Sequence, residues 1–273
     1  MRIFMLTAVA AAALIPYTVR AEDCKFQADR RGGEDVSGIE KIVVVAGAGE
    51  LDVRGTPNAK RIEATGRACA SSQPLLEKTA LKVHRKGSTL YIEAELPDLK
   101  HTLTIGNVYA NLDMKVTLPD NLPVQAQDSS GDSALANLKS LEMLDSSGSV
   151  TVRDIAGLVD LTDSSGDIRI DHVGSVKLRD SSGDVTALNI KNDIDVSVDS
   201  SGEMTFESVG GNVHIEQDSS GDIDVRNVKG NVTVENDTSG GIAVDNIDGD
   251  FTVVADTSGG VRVQNVRGKV SVP

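Results

Sequence analysis

The tetrapeptide Asp-Ser-Ser-Gly recurs through the second half of this 273-residue chain, at intervals of 17 to 19 residues. A unit this short cannot bury an apolar face by itself, so a fixed period of this length predicts a stack of small repeats. Two of the copies carry Thr in the second position. The copies begin at Asp128, Asp145, Asp163, Asp180, Asp199, Asp218, Asp237 and Asp256.

Each repeat has the pattern of two short strands joined by corners. In the unit that begins at Asp218, Ile223 and Val225 alternate with polar residues, and Val232 and Val234 do the same after Gly230. Such alternation is typical of strands with one buried face. It predicts an all-β, single-chain parallel β-solenoid with 17–19-residue coils. An antiparallel sandwich is the alternative, but it gives no reason for similar residues at fixed offsets.

The first 21 residues have the pattern of a secretory signal peptide. Arg2 precedes an apolar run from Ile3 to Ile15, and small residues follow before Glu22. The run is shorter than the ~20 apolar residues that span a bilayer. We therefore expect an exported protein, periplasmic or secreted, without a membrane span in the mature chain.

The chain divides by its repeat pattern. The pattern predicts an N-terminal cap with irregular β coils in residues 22–127 and the regular solenoid in residues 128–273. Within the first part, the segment from Gln73 to Leu81 predicts a short helix, because Pro74 stands near its start and several apolar side chains follow. We expect this segment to cover the open end of the rod, since repeat proteins need a cap.

Two cysteines are present, Cys24 and Cys69. An exported chain with two cysteines more often pairs them than leaves them free, so the sequence predicts a Cys24–Cys69 disulfide. Metal binding by these residues would need further ligands of the right kind nearby, and the sequence shows none.

Negative charge is concentrated in the repeats. Residues 22–127 contain 14 Lys and Arg against 15 Asp and Glu, whereas residues 128–273 contain 11 against 26, a net charge of −15. A nucleic-acid partner requires a basic binding face, so this class of partner is excluded.

The Asp-Ser-Ser-Gly segment fits a turn, in which the Asp carboxylate caps backbone N–H groups of its own corner. Cation binding is the alternative, because stacked aspartates at the surface repel one another and Ca²⁺ can bridge carboxylates. The candidate Ca²⁺ ladder is the set of eight corner aspartates, and no other cofactor is expected. A second acidic column follows the glycines, at Asp132, Asp167, Asp184, Glu203 and Asp222.

A carbohydrate-active enzyme on a β-helix is a further alternative. Such sites need a few particular carboxylates in a cleft with irregular walls, whereas here the acids occupy equivalent places in every coil. The four histidines, His84, His101, His172 and His214, occupy unrelated positions; His172 falls in the corner column of Asn227, and His214 in the outward column of Thr233. The sequence therefore assigns no catalytic residue.

The segment from Val116 to Asp132, VTLPDNLPVQAQDSSGD, combines a strand ending in Leu-Pro, a polar turn, a second strand and a Ser-Gly-Asp ladder. Residues 36 to 273 thereby resemble the bacterial "putative adhesin" family of β-strand-repeat proteins, a domain of unknown function. The resemblance implies a β-solenoid in exported or envelope proteins, with adhesion or envelope association and no catalytic residues.

Together these features predict an exported, non-enzymatic protein of the cell envelope that binds an envelope or surface component, either protein or polysaccharide. A Ca²⁺-responsive acidic surface is the first alternative. Val270 and Val272 belong to the last coil without a polar cap after them, which predicts either end-to-end self-association through the C-terminal coil or docking of another envelope protein there.

Overall fold

Strands make up most of the structure, a computed structural model that describes residues 24–99 and 107–273. The predicted signal peptide and His101 lie outside these ranges. The N-terminal elements are β1 (Phe26–Asp35), β2 (Lys41–Val45), β3 (Leu51–Thr56), β4 (Arg61–Ala70), α1 (Gln73–Lys78), β5 (Ala80–Lys86), β6 (Thr89–Glu95) and β7 (Ala110–Pro119).

The regular coils follow β7, with two strand segments to each coil. Their strands are β8 (Pro123–Gln127), β9 (Ser133–Leu138), β10 (Ser140–Leu144), β11 (Val150–Thr162), β12 (Ile168–Arg179), β13 (Val185–Ile190), β14 (Ile194–Val198), β15 (Met204–Val209), β16 (Val213–Asp218), β17 (Ile223–Val228), β18 (Val232–Asp237), β19 (Ile242–Ile247), β20 (Phe251–Asp256), β21 (Val261–Val266) and β22 (Val270–Ser271).

Equivalent strands of successive coils pair in parallel. Val213 of β16 lies beside Val232 of β18, which lies beside Phe251 of β20. His214 lies beside Thr233, as the repeat alignment predicts. The parallel β-solenoid is confirmed, because residues with the same offset in the repeat stack directly on one another.

The inward residues of the strands form one hydrophobic core along the rod. Met204, Ile223 and Ile242 stack in one column of β15, β17 and β19, and all three are buried. Phe206 and Phe251 are 0% exposed. Each fully buried aliphatic or aromatic side chain stabilises the fold by about 1.5–3 kcal/mol. Because the coils above and below cover these side chains, each coil depends on its neighbours for this stabilisation.

The corner within the second strand of each coil uses a left-handed backbone conformation. Asn227 has φ 58° and His172 has φ 56°, which confirms that His172 belongs to the column of Asn227. Asn tolerates this conformation better than most residues, because its side chain bonds locally. The column consists of Asn137, Asp154, His172, Asn189, Ser208, Asn227, Asn246 and Asn265.

The order of coils at the N-terminal end differs from the order of the sequence. Strand β2 pairs in parallel with β6 on one side and β8 on the other, and β3 pairs with β7 and β9. The coil made by β2 and β3 therefore lies between a coil made by β6 and β7 and the coil of β8 and β9. The repeat pattern alone does not predict this insertion.

Antiparallel strands close this end of the rod. Strand β4 pairs antiparallel with both β1 and β7, and β5 pairs antiparallel with β6. A Cβ added at Gly32 of β1 would crowd the side chain of Val83 of β5, so these two strands come close together. The cap is thus built mainly by strands, with α1 packed against β1 and β4.

The predicted helix is present but shorter than the segment Gln73 to Leu81. It ends at Lys78, because Thr79 has an extended backbone and Ala80 begins β5. The guanidinium of Arg30 donates hydrogen bonds to the carbonyl oxygens of Leu76 (2.9 Å) and Thr79 (2.8 Å). Arg30 thereby satisfies carbonyl groups that a helix leaves free at its C-terminal end.

The predicted disulfide is present. Cys24 and Cys69 are joined with their Cα atoms 5.6 Å apart, and Cys69 lies opposite Gln27 in the β1–β4 pair. The bond joins the start of β1 to the end of β4 within the cap.

Replacing both cysteines with serine is expected to lower the free energy of unfolding by about 2–4 kcal/mol, because the unfolded chain regains the freedom of the closed loop. Thermal unfolding of both proteins with and without a reductant measures the effect. The reductant should lower the melting temperature of the wild type alone. A wild type that does not respond to reduction would contradict a stabilising role.

The described residues contain no helix that is long and apolar enough to cross a bilayer. The hydrophobic core includes residues from both 22–127 and 128–273. The division at residue 128 therefore remains an interpretation of the repeat pattern.

Candidate functional site

The stacked Asp-Ser-Ser-Gly corners are the most regular polar feature of the rod. The glycines of these corners have φ between 118° and 148°, a range that residues with a side chain rarely adopt. A Cβ added at Gly221 would overlap the carbonyl oxygen of Gly202 in the preceding coil. Glycine is therefore required in this column both for its backbone conformation and for the close approach of adjacent coils.

The second hydroxyl residue of each motif links neighbouring coils. The hydroxyl of Ser220 donates to the carbonyl oxygen of Ser200 at 3.1 Å, and that of Ser239 donates to the carbonyl of Ser219 at the same distance. Equivalent bonds are present at every motif after the first. The donors are Ser147, Ser165, Ser182, Ser201, Ser220, Ser239 and Ser258. These hydroxyls are thus used to hold one coil to the next.

Four of the corner aspartates, Asp128, Asp163, Asp180 and Asp199, cap the turn as the sequence predicts. Oδ1 of Asp163 accepts hydrogen bonds from the backbone N–H groups of Ser164 (2.7 Å) and Ser165 (3.3 Å). Oδ1 of Asp180 accepts the equivalent pair from Ser181 and Ser182. The carboxylates therefore stabilise their own corners by bonding to N–H groups that the turn leaves without strand partners.

The surface ladder that the motif predicts is a buried column in the structure. Two successive exposed residues, Glu216 and Gln217, interrupt the alternation of β16 and turn Asp218 into the interior. Asp256, in the last motif, is partly exposed. The other seven corner aspartates are 0–4% exposed: Asp128, Asp145, Asp163, Asp180, Asp199, Asp218 and Asp237.

Most of the buried carboxylates keep an oxygen to which no described N–H or O–H group donates. Both oxygens are in this state in Asp145, Asp218 and Asp237. One oxygen is in this state in Asp163, Asp180, Asp199 and Asp256. A buried polar atom without a hydrogen bond costs free energy, so these oxygens require an explanation.

Burial raises the pKa of these carboxyl groups above their ordinary value of 3.8. Desolvation, followed by repulsion from Asp163 and Asp128, raises the pKa of Asp145 to about 7. Desolvation is also the main cause at Asp180 and Asp218, where the pKa is about 7, and at Asp199 and Asp237, where it is about 6. The pKa values of Asp128 and Asp163 are raised as well, by the same cause.

The second acidic column supplies the exposed charge along this edge. Its members are exposed, and several accept a hydrogen bond from the next coil. Oδ1 of Asp222 accepts from the N–H of Gly241 at 2.7 Å, and Oδ1 of Asp184 accepts from the N–H of Glu203 at 2.9 Å. On another corner, Oδ1 of Asn212 accepts the N–H of Asn231 at 2.8 Å. An amide oxygen can therefore perform the same bonding as a carboxylate.

Ca²⁺ binding by the eight corner aspartates stays a prediction. Their carboxylates stack in the order that the repeat predicts, but seven of them face the interior. Within residues 24–99 and 107–273, no group of three or more His, Cys, Asp or Glu side chains is arranged to hold a metal ion.

The described histidines lie on three different strands. His84 of β5 stacks on Tyr91 with ring centroids 5.2 Å apart, and its Nδ1 lies 3.5 Å from a carboxylate oxygen of Glu93. His172 lies beside Asp171 on β12, and His214 is on β16. The structure places none of these three histidines in the column of corner aspartates.

Comparisons with solved structures give distant similarities across most of the chain. A "putative cell adhesion protein" from Clostridium sporogenes ATCC 15579 is 15% identical, with 88% of this chain and 99% of that chain covered and a TM-score of 0.39. A "putative lipid binding protein" from Parabacteroides distasonis ATCC 8503 is 16% identical, with 90% and 97% covered and a TM-score of 0.45. A "putative adhesin" from Bacteroides fragilis NCTC 9343 is 11% identical, with 90% and 97% covered and a TM-score of 0.38.

A search of curated proteins gives no significant match. The family model Toastrack DUF4097 matches residues 50–273, which include every Asp-Ser-Ser-Gly motif and both Thr variants. This match confirms the resemblance to a β-repeat family of unknown function that the ladder motifs indicate. The chain belongs to the Toastrack DUF4097 family.

Proposed function

We propose that this chain is an exported, non-enzymatic β-solenoid that binds a component of the cell envelope through its repeated surface. The observation that carries the proposal is the equivalence of the polar groups from coil to coil. The second serine of every motif after the first bonds to the preceding coil, and several of the aspartates cap their own corners. A site for catalysis needs a few residues that differ from their neighbours in the stack, whereas these columns repeat the same groups.

The exposed edge of the rod supports a binding role. The second acidic column places carboxylates at successive coils, and stacked strands are about 4.8 Å apart. A partner with its own repeated groups, such as a polysaccharide or a cationic protein segment, can contact several coils at once. Many weak contacts then add to a useful affinity, even though each single contact is small.

Neutralising the second acidic column is expected to reduce binding to envelope fragments by about tenfold, which corresponds to about 1.4 kcal/mol. The test variant changes Asp132, Asp167, Asp184 and Asp222 to Asn. These changes remove four charges but keep the Oδ1 acceptors that hold the next coil, as Asn212 does elsewhere. Co-sedimentation of the purified mature protein with envelope fragments of the source bacterium measures the affinity.

A control variant with equal charge loss separates this column from net charge. It changes the exposed residues Asp160, Asp193, Asp195 and Asp250 to Asn. The control should bind as the wild type does. Equal losses in both variants, or a wild type that does not sediment with the fragments, would contradict the proposal. Release of soluble sugar fragments during the incubation would instead favour the carbohydrate-active enzyme.

End-to-end self-association through the C-terminal coil also stays a proposal. Val270 and Val272 are each 43% exposed, and Val261, Val263 and Val266 are partly buried against the core.

A further inference from the structure

The corner aspartates are adjacent along the axis of the rod. Asp199 and Asp218 form a parallel bridge, and Asp218 lies beside Asp237, which lies beside Asp256. Paired parallel strands are about 4.8 Å apart, so each buried carboxyl group has another directly above or below it. Asp145 and Asp163 are close enough for their side chains to form a hydrogen bond.

The first regular coil has a hydrogen-bond donor to its corner aspartate that the later coils lack. In the first regular coil the hydroxyl of Ser133 donates to Oδ2 of Asp128 at 3.0 Å. The residue five positions after the aspartate is apolar in each of the next six coils. These residues are Val150, Ile168, Val185, Met204, Ile223 and Ile242. The later aspartates therefore lack the donor that Oδ2 of Asp128 has at this position.

The charged groups that act on the column are also acidic. Neighbouring column members repel Asp145, Asp180 and Asp218. From the second acidic column, Asp184 repels Asp199 and Asp222 repels Asp237.

A basic residue stands directly before one corner aspartate, Arg179 before Asp180, and its side chain is exposed. No cation is among the groups that shift the pKa values of the described column. Two adjacent ionised carboxylates in such surroundings are unfavourable, because each is desolvated and each repels the other.

We propose that the buried corner aspartates form a proton-sharing ladder, in which the protonated carboxyl group of one coil donates a hydrogen bond to the ionised carboxylate of the next. Each shared pair keeps one proton and a single negative charge. The O–H group of one side chain then supplies the donor that Oδ2 of its neighbour lacks. The ladder joins coils along the axis through side chains, in parallel with the backbone hydrogen bonds.

The raised pKa values agree with this arrangement. Five members of the column have pKa values of about 6 to about 7, so the folded protein retains protons on them where ordinary aspartates are ionised. Carboxyl groups that interact this closely titrate as pairs, and one proton leaves each pair before the other.

Infrared spectroscopy tests the ladder directly. At about pH 6 the folded wild type should show the C=O stretch of protonated carboxylic acids, and the urea-unfolded protein should not, because free aspartates have pKa values of about 3.9. A folded protein without this band at pH 6 would refute the proposal.

Asp218→Asn tests whether the shared proton stabilises the fold. The amide has nearly the same size and shape as the carboxyl group and carries permanent N–H donors for the adjacent carboxylates. The variant should melt about 2–4 °C above the wild type at pH 8 and lose part of the wild type's dependence on pH. Asp222→Asn, four residues away in the exposed column, removes the same charge and should leave the infrared band unchanged. Equal responses of the two variants would overturn the ladder.

A second variant keeps the proposal testable if Asp218→Asn does not fold. Ile223→Thr places a hydroxyl where Ser133 stands in the first coil, so Asp218 gains its own donor. Its overall stability falls because a buried methyl group is lost, but the infrared band at pH 6 should weaken relative to the wild type. An unchanged band would show that Asp218 does not share a proton.

Discussion

Gly221→Ala is expected to lower the free energy of unfolding by at least about 4 kcal/mol, one of the largest effects of any single substitution in this rod. Gly221 has φ 134°, where a residue with a Cβ is strained by about 1–3 kcal/mol. The added methyl group would also overlap the carbonyl oxygen of Gly202. The two coils must then separate, which weakens the bond between the Ser220 hydroxyl and the Ser200 carbonyl.

Gly260→Ala is the matched control. Gly260 lies next to a corner glycine in the last motif, its φ lies outside the left-handed range, and a Cβ added there meets no atom within 4 Å. The free energy of unfolding of this variant should differ from that of the wild type by less than about 0.5 kcal/mol, as is usual for surface substitutions. Urea unfolding of both variants and the wild type measures the difference. Similar losses in both variants would show that general loss of glycine flexibility, rather than coil contact, controls stability.

The second large effect concerns pH. The rod should be most stable in mildly acidic solution and should lose at least about 4 kcal/mol between pH 4 and pH 8, the effect of a single carboxyl group whose pKa moves from 3.8 to about 7. Below pH 3.8 the corner aspartates are protonated in both the folded and the unfolded chain. Above it the unfolded chain releases its protons first, so unfolding becomes easier as pH rises through the folded values of about 6 to about 7.

Salt separates this effect from surface repulsion. The exposed acids of the second column also repel one another as pH rises, but salt screens charges at the surface far more than buried charges. Thermal unfolding from pH 4 to pH 8 should therefore show the same trend at about 0.15 M and at about 1 M salt. A stability maximum near pH 8, or a trend that disappears in high salt, would contradict a buried origin.

The repeat period and the aliphatic alternation predict the solenoid because both are local properties of one coil. Ile223 and Val225 face inward for the same reason that Ile242 and Val244 do, and their spacing is visible in the sequence. The cap is harder to predict. The antiparallel pairs of β4 with β1 and β7 join residues that share no repeat, and their register depends on contacts distant in sequence.

The corner aspartates show a similar limit at the candidate site. Their role in capping the turn follows from residue type. The burial of Asp163 and Asp180 continues the alternation of the preceding strand, whereas the burial of Asp218 depends on the break in alternation at Glu216 and Gln217. Such a break in the later coils is a recognisable signal only once the direction of the strand is known. Ser133 is the clearest sequence signal for the buried column, because it is the one polar residue at a position, five residues after each corner aspartate, that is otherwise apolar.

The insertion of the β2–β3 coil between β6–β7 and β8–β9 gives the rod a direction of assembly. The strands β2 and β3 are synthesised early, but they can pair with β8 and β9 only after residues up to Leu138 have been synthesised. That end therefore requires contacts across a long stretch of chain, which form slowly, whereas every later coil needs only the coil before it. We therefore expect this end to form slowly and the remaining coils to be able to add to a formed coil one at a time.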